Sequence, residues 1–295
     1  MTIYSIIAGS FRKMVHPAFD IKREDTDNLP NDCKLLIEVS GQSFNYILFT
    51  RSPDQLYILR QFRIYTSGDK NTRDVLEEII SGDPVLSQFG HEAIIVYNFP
   101  DANLLPSEHF KTELKAPVTR LLYGDTESDL IFDEHVSDWN IHNVYTVSKD
   151  LHTLCREKFK GGQYWHLYTM ILRWSKENEI RDGNFARVIF YNDQFIAAFF
   201  IDGALQLLQT FLYQTPEDAS YYLLLICKQF NIDPEKMKLN ISGLIDTQSA
   251  LYSELVKYFE DVHYEGIPST YGTNGILEEY PAHYFSPLLK MSLCV

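Results

Sequence analysis

Leu35–Phe49 reads LLIEVSGQSFNYILF, an apolar strand, a short polar turn and a second apolar strand, and Arg187–Phe200, RVIFYNDQFIAAFF, repeats the pattern. In each copy a third strand, a helix, a fourth strand and a further helix are expected to follow. A recurrence of this kind outranks local signals in deciding a fold, because one supersecondary unit used twice dictates the architecture of the whole chain.

In the first copy, Lys34–Val39 and Phe44–Thr50 form a hairpin around Ser40-Gly41-Gln42-Ser43. Ser52-Pro53-Asp54 turns the chain into a third strand, Gln55–Tyr65, whose alternation is imperfect. Asn71 caps a helix running through Ile80, with Val75, Leu76, Ile79 and Ile80 on one face, and Gly82-Asp83-Pro84 interrupts it. Glu92–Asn98 reads as a buried strand, and Leu114–Tyr123 as a weaker helix disturbed by Pro117. Phe19–Glu24 (FDIKRE) has strand character. Between the copies, Ile141–Val147 predicts a strand and Ser148 caps a helix through Phe159. Gly161-Gly162 ends that helix, before an aromatic and β-branched stretch at Gln163–Ser175. This turn is the expected boundary between a first domain, residues 1–160, and a second, 161–295.

The second copy is cleaner. Ala186–Tyr191 and Gln194–Ile201 flank a tight Asn192-Asp193 turn. Asp202-Gly203 leads into Ala204–Tyr213. Thr215-Pro216-Glu217-Asp218 is a strong helix start, with a capping threonine, proline at the first helical position and acids in the first turn. That helix runs to about Phe230. Met237–Ser242 is strand four, Gly243 releases the chain, and a last helix carries Leu251, Leu255, Tyr258 and Phe259 on one face. Each copy therefore reads β-β-β-α-β-α. Antiparallel strands followed by crossover helices predict an α/β fold with two tandem ribonuclease-H-like domains, each a mixed sheet flanked by helices.

Composition excludes several classes. The chain has 295 residues, 45% apolar, with 19 Tyr and 19 Phe, enough for two well-filled cores. Its net charge of −14, without any Lys/Arg-rich run, argues against nucleic-acid binding. The N-terminal MTIYSIIAGSFRKM places its basic residues after the apolar stretch, the wrong order for a signal peptide. The longest apolar run, Ala219–Cys227, is too short to insert into a membrane. A soluble, cytoplasmic protein is expected. Cys33, Cys155, Cys227 and Cys294 are scattered through apolar stretches and read as reduced thiols rather than a disulfide framework.

Three segments resemble a known family: Asp202–Tyr264, with its TPED–YYLL and DPEK–KLNISG runs, the hinge stretch Asn143–Leu151 (NVYTVSKDL), and the tail His283–Cys294 (HYFSPLLKMSLC). They are similar to an uncharacterised bacterial family with an actin-like ATPase fold, and more distantly to actin-like proteins of bacterial pilus and division machinery. The resemblance implies a fold, two ribonuclease-H-like domains in an actin-like arrangement, and no assigned function.

Such a fold would hold ATP and Mg through three backbone devices. The first turn needs an acid followed by a glycine that lets backbone N–H groups reach the phosphates; here it offers Glu38, Ser40 and Gly41, with Glu for Asp and the glycine one position late. A polar turn with glycine at positive φ is the plainer reading. The second turn offers Asp193 and no glycine. The third, after strand four, keeps Gly243 and then places Leu244 and Ile245. With all three altered, the expectation is a non-catalytic interaction or scaffold protein with no catalytic residue, no cofactor and a protein partner; the alternative is a nucleotide-binding actin-like ATPase or kinase with an atypical phosphate loop, holding ATP and Mg at these five residues. The residues set neither the partner nor an oligomeric state.

Other constellations are weaker. Strand four, Ala93–Asn98, lacks the acids a two-metal nuclease needs. Asp125–Asp129 imitates the start of a calcium loop, but Leu130 stands where glycine is required. His135 and His142 have no cysteine partner for metal binding. Gly68-Asp69-Lys70 reads as a turn, and Gly272–Gly275 as a flexible loop.

Overall fold

The structure is a computed structural model that describes residues 16–24, 29–52, 54–66, 70–89, 93–124, 127–178, 184–271 and 275–295. The N-terminal MTIYSIIAGSFRKM, Gly68-Asp69, Glu92, Asp125-Thr126 and Gly272–Asn274 lie outside these residues.

The first unit opens with β1 (Phe19–Lys22), β2 (Lys34–Ser40), β3 (Ser43–Arg51) and β4 (Asp54–Arg63). Helices α1 (Thr72–Gly82) and α2 (Pro84–Gln88) lead to β5 (Ala93–Asn98). Asn71 closes α1 with a reciprocal capping box to Asp74, and Val75, Leu76, Ile79 and Ile80 are its buried face, as the spacing requires. An excursion follows: β6 (Ala102–Pro106), α3 (Lys115–Tyr123), β7 (Asp129–Val136), β8 (Ile141–Ser148) and α4 (Lys149–Lys158). The chain then returns through β9 (Gln163–His166) into α5 (Leu167–Asn178).

The second unit runs β10 (Phe185–Phe190), β11 (Gln194–Ile201), β12 (Ala204–Leu212), α6 (Pro216–Gln229), β13 (Lys238–Gly243), α7 (Ala250–Leu255), β14 (Asp261–Tyr264) and α8 (Ala282–Leu293). Thr215 and Asp218 form the capping box that starts α6, with Pro216 in its first turn.

The two large sheets have one topology. The first has the order β1-β4-β3-β2-β5-β9 and the second β12-β11-β10-β13-β14. In both, the first three strands of the repeat are antiparallel, and two further strands add in parallel beside the first. The registers superimpose as well: Lys34↔Phe49 becomes Phe185↔Phe200, an offset of 151 residues. A register shift falls at Leu48/Phe49 in one hairpin and at Phe199/Phe200 in the other, again 151 apart. The irregular alternation of the third strand is this bulge, which leaves an extra residue on β4 and on β12.

Each sheet carries a fifth parallel strand that the repeat pattern alone does not foretell. In the first, β9 lies beyond the boundary expected at Gly161-Gly162 yet pairs with β5. Gly161 does turn the chain, at φ +77°. It turns it back onto the first sheet, where β9 finds the open edge of β5. The first sheet also gains β1, and the excursion 99–162 builds the three-stranded sheet β6-β8-β7.

Side-chain alternation divides the core. Ala186, Val188 and Phe190 face α6 and α7, in a cluster with Leu223, Ile226, Leu251 and Leu255. Ile189, Ala198 and Phe200 face the other way, into a larger cluster with Leu172 and Trp174 of α5, Phe285 and Leu288 of α8, and the first sheet. The apolar filling between the two sheets is thus continuous, with α5 packed against α8 within it. The four cysteines are free thiols, and Cys294 is less buried than the others.

Candidate functional site

The three expected devices converge at the carboxyl ends of β2, β10 and β13. Glu38, Ser40, Asp193 and Gly243 line one cleft there, with Tyr191 and Asn45. Its free cavity is about 50 Å³, against roughly 300 Å³ or more for a typical small-molecule site.

In the first turn, the Ser40 hydroxyl oxygen accepts hydrogen bonds from the backbone N–H of Gln42 (3.2 Å) and of Ser43 (2.9 Å). A side chain of the turn itself therefore engages N–H groups of the kind that a phosphate would use. Gly41 is not at positive φ, and a methyl group built on it would meet nothing within 4 Å. The reading of this glycine as a conformational necessity is thus corrected: with Ser40 bonding the following backbone, the turn closes in an ordinary conformation.

Glu38 is buried, at 1% exposure. Its carboxylate accepts from Asn45 Nδ2 (3.0 Å), Asn98 Nδ2 (2.9 Å) and the Tyr191 hydroxyl (2.6 Å). Burial pushes its pKa up, and these three neutral donors offset the rise only in part. Tyr191 comes from the second unit, so one bond of this network spans the two halves. Its own hydroxyl is driven well above the ordinary tyrosine range by burial and the adjacent carboxylate. Outside this pair, Gln42 Nε2 donates to the Asp193 carboxylate, joining two positions that the duplication makes equivalent.

The second turn spends its backbone internally: Tyr191 N–H donates to Gln194 O (2.8 Å) and Tyr213 N–H to Asp193 O (2.9 Å). Gly243 sits at φ +83°, where a Cβ would lie 2.1 Å from the Phe190 carbonyl oxygen. Its glycine is required by β13 packing on β10, and the next N–H, of Leu244, donates to that same carbonyl (2.8 Å).

Of the five residues singled out in the sequence, Glu38, Ser40, Asp193 and Gly243 line this one cleft, and Gly41 does not. Sequence reasoning missed the contributions of Tyr191, Gln42, Asn45 and Asn98. The available signal was the offset of 151 residues, which puts a large aromatic, Tyr191, opposite the small Ser40.

Elsewhere, the calcium-like stretch that begins at Asp125 runs into strand β7 from Asp129 to Val136, an extended conformation rather than a loop. His135 and His142 are direct cross-strand partners with ring centroids 4.7 Å apart. Among the described residues no group of three or more His, Cys, Asp or Glu could hold a metal ion. No helix among them is long and apolar enough to cross a membrane.

A family model described as "Protein of unknown function (DUF3822)" matches residues 22–262, and the chain belongs to that family. No curated protein matches. Among solved structures, a Bacteroides thetaiotaomicron protein described as having an actin-like ATPase fold and unknown function is similar at 17% identity. It has a TM-score of 0.75 and covers 90% of this chain and 99% of its own. A PilM-PilN type IV pilus biogenesis complex is similar at TM-score 0.54 and 11% identity, covering 90% of this chain and 98% of that one. These likenesses, with the duplicated sheet order, establish the actin-like ATPase fold with its two ribonuclease-H-like units.

Proposed function

We propose that this member of the DUF3822 family is a non-catalytic interaction or scaffold protein of the cytoplasm, an actin-like fold that works without nucleotide and has another protein as its partner. The observation that carries the reading is the bond from the Tyr191 hydroxyl to the Glu38 carboxylate. It fills the space between the turns with protein and ties up the acid of the first turn, Glu38. The Ser40 hydroxyl engages the neighbouring N–H groups, and a cavity of about 50 Å³, small for a triphosphate, supports the same reading. A nucleotide does not fit this constellation. The similarity to PilM, seen in a complex with PilN, supports a protein partner for a fold of this kind.

The test is thermal unfolding with and without millimolar MgATP, alongside phosphate release. A ligand confined to the native state adds about 2.7 kcal/mol at a hundred times its Kd, a shift easily seen. The expected result is no shift and no release. A shift that Gly41→Val abolishes would overturn the proposal.

A further inference from the structure

At the other end of the second sheet, β10 carries one charged residue. The strand FARVIF is buried throughout, and Arg187 at its middle is 3% exposed. The duplication supplies a control. The same offset that takes Lys34 to Phe185 takes Leu36 to Arg187. The first sheet sets Leu36 beside Ile94 and then Gln163, where the second sets Arg187 beside Asn240 and then His263. An apolar pair suffices to build this sheet, so the polar row is not a demand of the fold. Exchanging a buried ion pair for apolar residues is often neutral or stabilising, which leaves the row in want of another reason.

The row opens onto a cavity of about 430 Å³ between β13, β14, α5 and α8, within the usual range for small-molecule sites. Arg187, Lys238 and Lys290 line it with a single carboxylate, Glu265, in a chain of net charge −14. Glu265 is already engaged on both oxygens, by Arg187 Nε (2.6 Å) and Lys290 Nζ (2.9 Å). Arg187 also donates to the Ser175 hydroxyl and lies over the Trp174 ring, 5.9 Å from its centroid. Those contacts fix the guanidinium with two of its five N–H donors committed. Lys238 is exposed at the mouth.

We infer that this cavity binds a small organic anion, a carboxylate or phosphate monoester on an apolar body, with its anionic group met by Lys238, Asn240 and Arg187 and its body against Pro268 and Leu293. The site is separate from the turn junction. Arg187 lies four residues along β10 from Tyr191, roughly 13 Å at the rise of an extended strand, and it stands whether or not the turns admit nucleotide.

Calorimetric titration of the full chain with phenyl phosphate, phenylacetate and the uncharged phenylacetamide tests it. Saturable binding of at least one anion and none of the amide is expected, and whichever anion binds identifies the headgroup. Lys238→Glu, an exposed change that leaves the core intact, should weaken that binding roughly tenfold or more by reversing a nearby charge. Arg187→Leu, which installs the residue of the equivalent position, should do the same. Absence of heat from both anions at millimolar concentration, equal binding of the amide, or wild-type affinity in Lys238→Glu would overturn the proposal.

Discussion

Replacing Glu134 by glutamine should stabilise the protein increasingly as pH rises from about 5 to about 7, with the full advantage kept above neutral pH. Glu134 on β7 faces Asn143 on β8 in register. Its Oε1 accepts from the Tyr145 hydroxyl (2.6 Å) and from the His166 backbone N–H (2.9 Å), tying the small sheet to the start of α5. Its Oε2 and the Asn143 Oδ1 are both buried without a hydrogen-bond partner. Protonating Glu134 removes the charge that burial penalises and makes its second oxygen a donor as well as an acceptor. Burial, the largest influence, pushes this carboxyl from 4.5 up to about 7, its neighbouring donors offsetting only part of the rise. A carboxyl raised in the folded state contributes stability that is complete below its unfolded pKa and is lost as pH rises through the folded one. At about 1.4 kcal/mol per unit, the loss is about 1 kcal/mol at pH 5 and about 3 kcal/mol at pH 8. Glutamine has the shape of the protonated acid and carries no charge at any pH. Urea unfolding of wild type and Glu134→Gln at the two pH values should therefore show an advantage for the variant that grows by about 2 kcal/mol. A difference that does not change with pH, or a variant less stable at pH 8, would refute the account of a carboxyl raised by burial.

Tyr191→Phe removes a donor from the buried Glu38 carboxylate and should cost about 1–3 kcal/mol; because Glu38 already titrates high, the cost should be larger at pH 8 than at pH 5, as read by urea unfolding at both. Gly243→Ala should fail to give soluble, cooperatively melting protein, since its Cβ would fall 2.1 Å from Phe190 O at φ +83°. Gly41→Ala, with open space around the new methyl, should lie within about 0.5 kcal/mol of wild type in the same assay.

The second unit was legible because its punctuation is strong. Asn192-Asp193, Asp202-Gly203 and the Thr215–Asp218 cap fall where β11, β12 and α6 begin. The stretch 129–184 was read only in part. There, β7 alternates weakly over half-buried positions, so periodicity is faint. The run Gln163–Ser175 is apolar on most sides of α5, and a helix buried all round cannot be told from a strand by spacing. Pro117 did less harm than expected because it sits in the first turn of α3, where its missing N–H has no partner to lose. The helix after strand four was expected to carry Tyr258 and Phe259, but α7 ends at Leu255 and the chain turns into β14. The fifth strands were invisible for a further reason. Each is four residues long, too short for alternation to register, and is a strand only because a parallel edge waits for it.

The site was half legible, and the missing half is a matter of pairing. Composition of the turns shows which glycines are absent; it does not show that their replacements meet. Gln42 and Asp193 occupy the same place in the two repeats, and they bond to one another. Ser40 and Tyr191 also share a place, but they act differently: Ser40 binds back onto its own turn, whereas Tyr191 crosses to Glu38. Each contact across the junction thus depends on the other unit being where it is. At their inner faces the two units are already joined by a continuous apolar filling around α5 and α8. Opening the turns would therefore break Tyr191–Glu38 and Gln42–Asp193 together, and leave Glu38 with its two amide donors and without the tyrosine hydroxyl.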